Sequence, residues 1–162
     1  MELTTFQRHR LLAQLASFIE DIPTDRLNMN VITGSDATKH SCGSAGCAMG
    51  WSATIHNRFG VYLKPAHIII GMGMYFTTDV QYPIEMHQCR TDIRAFAWLY
   101  GIDADQTTDI CIPGHYRDEF GTYNPNPRQV AKRIRDVLSR IDPAALVEAY
   151  PITTEQRELV TA

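Results

Sequence analysis

The chain has 162 residues and a mass of 18.3 kDa, the size of one ordinary domain. Its 44% apolar and 20% charged residues exclude a mainly disordered chain and a fibrous or low-complexity one. A net charge of −3, with both signs mixed along the chain, argues against a nonspecific nucleic-acid binder, which needs a segregated basic surface.

The N-terminal residues Met1-Glu2-Leu3-Thr4-Thr5 are polar and unlike a secretory leader. The longest strongly apolar run, from Ile68 to Phe76, falls well short of the ~20 residues that span a bilayer. The expected setting is cytoplasmic, with no membrane contact and with the cysteines reduced unless a metal holds them.

In chain order, residues 4–22 read as a helix. Thr4 and Gln7 form a capping-box pattern, and Leu11, Leu12, Leu15, Phe18, Ile19 and Ile22 recur at helical spacing before Pro23. Residues 23–43 are rich in turn formers, with Met29 and Val31 returning to the core. A second helix is expected over 44–59, capped by Ser44 and stopped by Gly60. Its interior glycines, Gly46 and Gly50, each cost about 1 kcal/mol against alanine, which points to close approach of a neighbouring segment. Residues 61–82 are ambiguous, and the run 66–76 is read as a buried helix after Pro65, with a buried strand as the alternative. A short helix follows over 91–100, ended by Gly101, and Asp103 with Gln106 caps another that reaches Cys111. Residues 112–126 read as a polar loop. The clearest helix is 127–141, with Asn126 as cap, Pro127 first, and Val130, Ile134, Val137, Leu138 and Ile141 on one arc. Asp142-Pro143 repeats the cap-then-proline device for a last short helix to Tyr150. The fold class is therefore mainly α: one compact helical domain of about five to six helices over 1–151, with room for one short strand pair, and a flexible tail over 152–162.

Three groups of side chains carry potential chemistry. Cys47 would lie in the first turn of the second helix, where free N–H groups and the helix dipole favour a thiolate. With His115 as base and Asp118 or Asn124 as orienter, it would suit a cysteine-dependent hydrolase or transferase. His40, Cys42, His87, Cys89, Cys111 and His115 supply the ligand types of a tetrahedral zinc site, although the usual paired Cys-x-x-Cys knuckles are missing. Arg128, Lys132 and Arg135 form a basic stripe opposite the apolar arc of the late helix, which suits phosphates or, more commonly, simple solvation. No phosphate loop, Gly-x-Gly-x-x-Gly or His-Glu-x-x-His occurs.

The segment Asn28-Met29, followed by Cys42-Gly43-Ser44-Ala45-Gly46-Cys47-Ala48-Met49-Gly50-Trp51, resembles a loose family of small proteins of phages, prophages and their bacterial hosts. Ser44 stands where that family usually has threonine. Trp98-Leu99-Tyr100-Gly101-Ile102 resembles its second landmark, and the helix 127–141 also fits. The resemblance implies a helical fold and a phage or mobile-element setting, and it carries no catalytic residue; the cytoplasm expected above is then that of a bacterial host.

The preferred reading is a non-catalytic accessory protein without a cofactor. It would bind and block a host protein, such as a defence component, through Arg128, Lys132, Arg135, Tyr116, Phe120 and Tyr123. A homo-oligomer stays open. The cluster Cys42, Gly43, Ser44, Cys47, Gly50 and Trp51 is then a folding device: a turn, a cap, two points of close approach and a space-filling indole. Function would lie on the loops 32–41 and 112–126. On this reading Gly50→Leu unfolds the protein while Cys47→Ser leaves the fold and the activity nearly intact, as circular dichroism and a binding assay on the two variants would report.

Overall fold

A computed structural model of the chain describes residues 3–27, 29, 48–56, 61–68, 71–78 and 93–161. Among the described residues the architecture is mainly helical, with one antiparallel strand pair. The first helix, α1, runs over Thr5–Glu20. Its capping box forms as expected, with Gln7 N–H donating to Thr4 Oγ1 at 3.2 Å and Thr4 N–H to Gln7 Oε1 at 2.8 Å. From Leu11 to Ala16 every residue of α1 is buried, including Gln14. A helix covered on all sides is a central element, not a surface one.

Four elements cover it. The helix α2 spans Ala48–Ile55, α3 spans Ile93–Tyr100, α6 spans Pro127–Ile141 and α7 spans Pro143–Val147, and each packs on α1. The α6 contact is the most extensive. Its arc of Val130, Ile134, Val137 and Leu138 is fully buried, and Ile141 is half-buried at the end. Each such side chain contributes about 1.5–3 kcal/mol by leaving water. Asn126 caps α6 in a capping box with Gln129, and Pro127 takes the first position. Met29 is buried in the core, as expected; Val31 lies outside the described residues.

The helix α4, over Ala104–Cys111, starts at the expected Asp103–Gln106 capping box. Between α3 and α4 the chain turns at Gly101, whose φ is +65°. There Gly101 N–H bonds Trp98 O at 3.3 Å and Ile102 N–H bonds Ala97 O at 3.1 Å, which closes the end of α3. The Arg8 guanidinium adds bonds to Trp98 O at 2.8 Å and Leu99 O at 3.3 Å, so α1 caps α3 from outside.

Four expectations change. Of the run 66–76, read as a helix, residues 66–68 and 71–76 belong to the strands β1 (Val61–Ile68) and β2 (Gly71–Thr78), paired from Val61↔Thr78 to Ile68↔Gly71. An apolar run has no period that separates buried helix from buried strand, and the partner strand decides. Among the described residues the sheet has only these two strands, both of them edges, which is where Pro65 is tolerated. The loop expected over 112–126 contains a helix, α5, over Gly114–Phe120. Its only buried residue is Tyr116, too little apolar signal to mark a seven-residue helix in sequence. The tail expected over 152–162 holds a further helix, α8, over Thr154–Thr161, started by Thr153 and Gln156 in a capping box. Finally, Asp142 does not cap α7 with its side chain; the carboxylate faces His9. The described part of the second expected helix begins at Ala48, and Ser44 and Gly46 lie outside the described residues.

Gly101 and Gly121 both adopt left-handed backbone, but only Gly101 has close neighbours. A Cβ at position 101 would lie 3.4 Å from Arg8 Cδ, whereas one at 121 would meet nothing within 4 Å. Gly101→Ala and Gly121→Ala are each expected to lower stability by about 1–2 kcal/mol from backbone strain, since the added methyl at 101 makes only ordinary van der Waals contact with Arg8. Urea unfolding midpoints of the two variants check this.

Candidate functional site

Because the middle of α1 is covered on all sides, the polar group enclosed there, Gln14, must find partners inside the protein. Gln14 does so through a chain of hydrogen bonds that crosses the domain. Gln14 Nε2–H donates to Pro151 O at 2.6 Å and to Gln156 Oε1 at 3.3 Å. A backbone carbonyl can only accept, so this contact orients the amide and turns Gln14 Oε1 toward His56. His56 Nε2 lies 2.9 Å from that oxygen and therefore carries a proton. In the neutral ring Nδ1 then accepts from Tyr100 Oη, 2.8 Å away. Burial pushes the Tyr100 phenol well above its usual range, against the opposing bond from Ser52, so the O–H stays available to donate. Ser52 Oγ–H completes the chain by donating to Tyr100 Oη. Every hydrogen bond from Ser52 to Gln14 points the same way, an arrangement in which neighbouring bonds polarise one another. Ser52, His56 and Tyr100 are completely buried. No motif marks this network in sequence, since its members come from α1, α2 and the residue that follows it, α3, Pro151 and α8.

His9 is the second polar group of α1 that the packing encloses. Its Nδ1 lies 2.8 Å from Asp142 Oδ2 and its Nε2 lies 3.2 Å from Gly101 O. It therefore ties α1 to the α6–α7 junction and to the end of α3.

A different kind of cluster occupies the face made by α5 and α6. Arg133, only 8% exposed, donates from Nη2 to His115 O at 3.0 Å and to Glu119 Oε2 at 2.8 Å. Nη1 reaches Asp109 O at 3.3 Å, and the guanidinium lies 4.8 Å from the Tyr116 ring centroid. This buried cation clamps α5 and the end of α4 onto α6. Lys132 bonds Glu119 at 2.9 Å and Asp136 at 2.5 Å, while Arg135 bonds Glu20 at 2.6 Å. Lys132, and then Arg133, hold the Glu119 carboxyl below the usual carboxylate range, and Arg135 does the same for Glu20. Depressed carboxylates stabilise the fold above their unfolded value and lose that contribution as pH falls through the folded one. These pairs are open to solvent, so the contribution is small and salt-sensitive.

The expected site residues fall into distinct environments. Tyr116, expected as an exposed binding residue, is fully buried, and its Oη–H donates to Ile110 O at 2.6 Å. Phe120 is half-buried against the core and stacks on Tyr116 at 6.1 Å. Tyr123 is 52% exposed, with Arg117 Nη1–H donating to its Oη at 2.7 Å. Arg128 and Lys132 are exposed and Arg135 is half-buried. Arg117 was not singled out in sequence, where nothing links positions 117 and 123 until α5 brings them together.

His115 is exposed, and its Nδ1 lies 3.0 Å from Asp109 Oδ1, so Asp109 takes the place expected of Asp118. Cys47, the expected nucleophile, lies outside the described residues, as do Cys42, Gly43 and Ser44 of the motif and His40, His87 and Cys89 of the zinc set. Cys111 is buried in the core at the end of α4. Among the described residues no group of three or more His, Cys, Asp or Glu side chains could hold a metal ion. No described helix is long and apolar enough to cross a membrane. Of the folding cluster, Gly50 and Trp51 are buried; the Trp51 indole tilts against Phe18 at 5.7 Å and donates to Arg26 O at 3.2 Å.

Tyr100→Phe removes the hydroxyl shared by Ser52 and His56 and is expected to cost about 1–3 kcal/mol. Combined with Ser52→Ala, the loss should be clearly smaller than the sum of the two single losses, because both variants break the same bond. A double-mutant cycle in urea measures this.

No family model matches the chain, and no curated protein or solved structure matches it.

Proposed function

We propose that the protein acts by binding, not by catalysis, and that it engages a bacterial host protein through the face formed by α5, residues 121–126 and α6. The observation that carries this reading is the exposed Tyr123 ring held by the Arg117 hydrogen bond, with the guanidinium 5.3 Å from the ring centroid. Tyrosine and arginine are the usual anchors of protein interfaces. A pair already held in place loses less side-chain entropy on binding than two mobile residues would. Phe120 of α5 and Lys132 of α6 lie on the same two helices, with Lys132 Nζ 5.9 Å from the Phe120 ring centroid, on a scaffold that the buried arc of α6 makes rigid. The pairing of Lys132 and Arg135 with carboxylates lowers the positive potential of the α6 stripe, which favours a protein partner over a phosphate backbone. The likeness of residues 42–51 to phage and prophage proteins supplies the setting: an accessory protein that occupies a host component, with defence proteins as the class of target.

The test is capture from a bacterial lysate by the wild-type chain and by the Arg117→Ala/Tyr123→Ala variant. The wild type is expected to retain a stoichiometric partner, and the variant, with unchanged circular dichroism, to lose about tenfold or more in affinity. A partner held equally by both, or none held by the wild type, overturns the proposal.

A further inference from the structure

We propose that α8 is a releasable strap, a helix that forms only while docked and that opens as a unit about Pro151 while the α1–α6 core stays closed. The helix has eight residues, and Gln156 is its only buried one. Leu159 and Val160 are half-buried against the core. Isolated helices shorter than about 12–15 residues are marginal in water, so α8 depends on its dock.

The dock and the start of the helix use the same side chain. Gln156 Oε1 accepts from Thr153 N–H at 2.9 Å, which is half of the capping box, and from Gln14 Nε2–H at 3.3 Å. Gln156 Nε2–H donates to Ile55 O at 3.2 Å. The docking bonds hold Gln156 in the rotamer that caps the helix; without them only the local capping box supports eight residues, too few to persist in water, so undocking and melting become one event. At the tip, Arg26 Nη1–H donates to Val160 O at 2.6 Å, a cap on the last turn. At the base, Pro151 O stays bonded to Gln14 Nε2 at 2.6 Å, which gives the opening segment a fixed pivot and leaves Gln14 with a partner when Gln156 departs. Release uncovers the Ile55 carbonyl and the Gln14 amide, the end of the buried polar chain that begins at Ser52. Elements with few buried apolar contacts open at lower free energy than the core.

Amide hydrogen exchange on the full chain and on Gln156→Ala tests this. In the wild type, amides of residues 157–161 are expected to exchange on the order of 100-fold faster than the slowest amides of α1 and α6. Gln156→Ala should speed the α8 amides by roughly tenfold more, as loss of its shared bonds implies, and leave α1 and α6 unchanged. Exchange of α8 together with α1 and α6 in the wild type overturns the proposal. So does a variant in which all three helices accelerate alike, in which α8 is unaffected, or which fails to fold.

Discussion

The enclosure of α1 is the constraint on which the other features depend. Leu11, Leu12, Leu15 and Ile19 need apolar cover, and α2, α3, α6 and α7 provide it from several directions. That cover leaves Gln14 and His9 no route to water. An unpaired buried amide or imidazole would offset much of what one buried leucine contributes. The domain resolves the conflict with partners of high sequence separation: Pro151, Gln156 and His56 for Gln14, and Asp142 and Gly101 for His9. These polar contacts also set which helix lies against which, because an apolar surface alone tolerates sliding and a hydrogen bond does not.

The same constraint divides the molecule into two kinds of surface. Around α1 the polar groups are used up internally, and the Ser52–Tyr100–His56 chain is sealed from solvent. On the α5–α6 side the charged groups lie at the boundary, with one buried cation, Arg133, and an outer layer of exposed pairs. The buried guanidinium stacks on Tyr116 and bonds backbone carbonyls of two other segments, so it acts as a rivet. The outer layer is where Tyr123 and Arg117 project, which is why the binding proposal rests there and not on the sealed network. His115 and Asp109 sit at the edge of the same face.

Much of the helical organisation was legible from residues alone. The Thr4–Gln7, Asp103–Gln106 and Asn126–Gln129 pairs mark helix starts because a capping box is a local arrangement of four residues. The α6 arc is legible for the same reason, since its period is written along one segment. Thr153–Gln156 carries the same local signal, masked by the general tendency of chain ends to fray. The polar chain through Gln14 was not legible, since its members are scattered over more than 100 positions and none has a motif. Tyr116 was misplaced because aromatic residues in a polar stretch look the same whether they face solvent or a buried arginine.

Local residue order was enough to specify the helical class, the extents of α4 and α6, the start of α1 and the identity of the buried arc on α6, because capping and periodicity act within a few residues. It took the folded chain to establish that 61–68 and 71–78 pair as strands, that Asp142 serves His9 in place of a helix cap, and that Gln14 closes a hydrogen-bonded chain with groups from three other segments. Those outcomes depend on which surfaces exclude water together, and that is set by the packing of distant segments around α1.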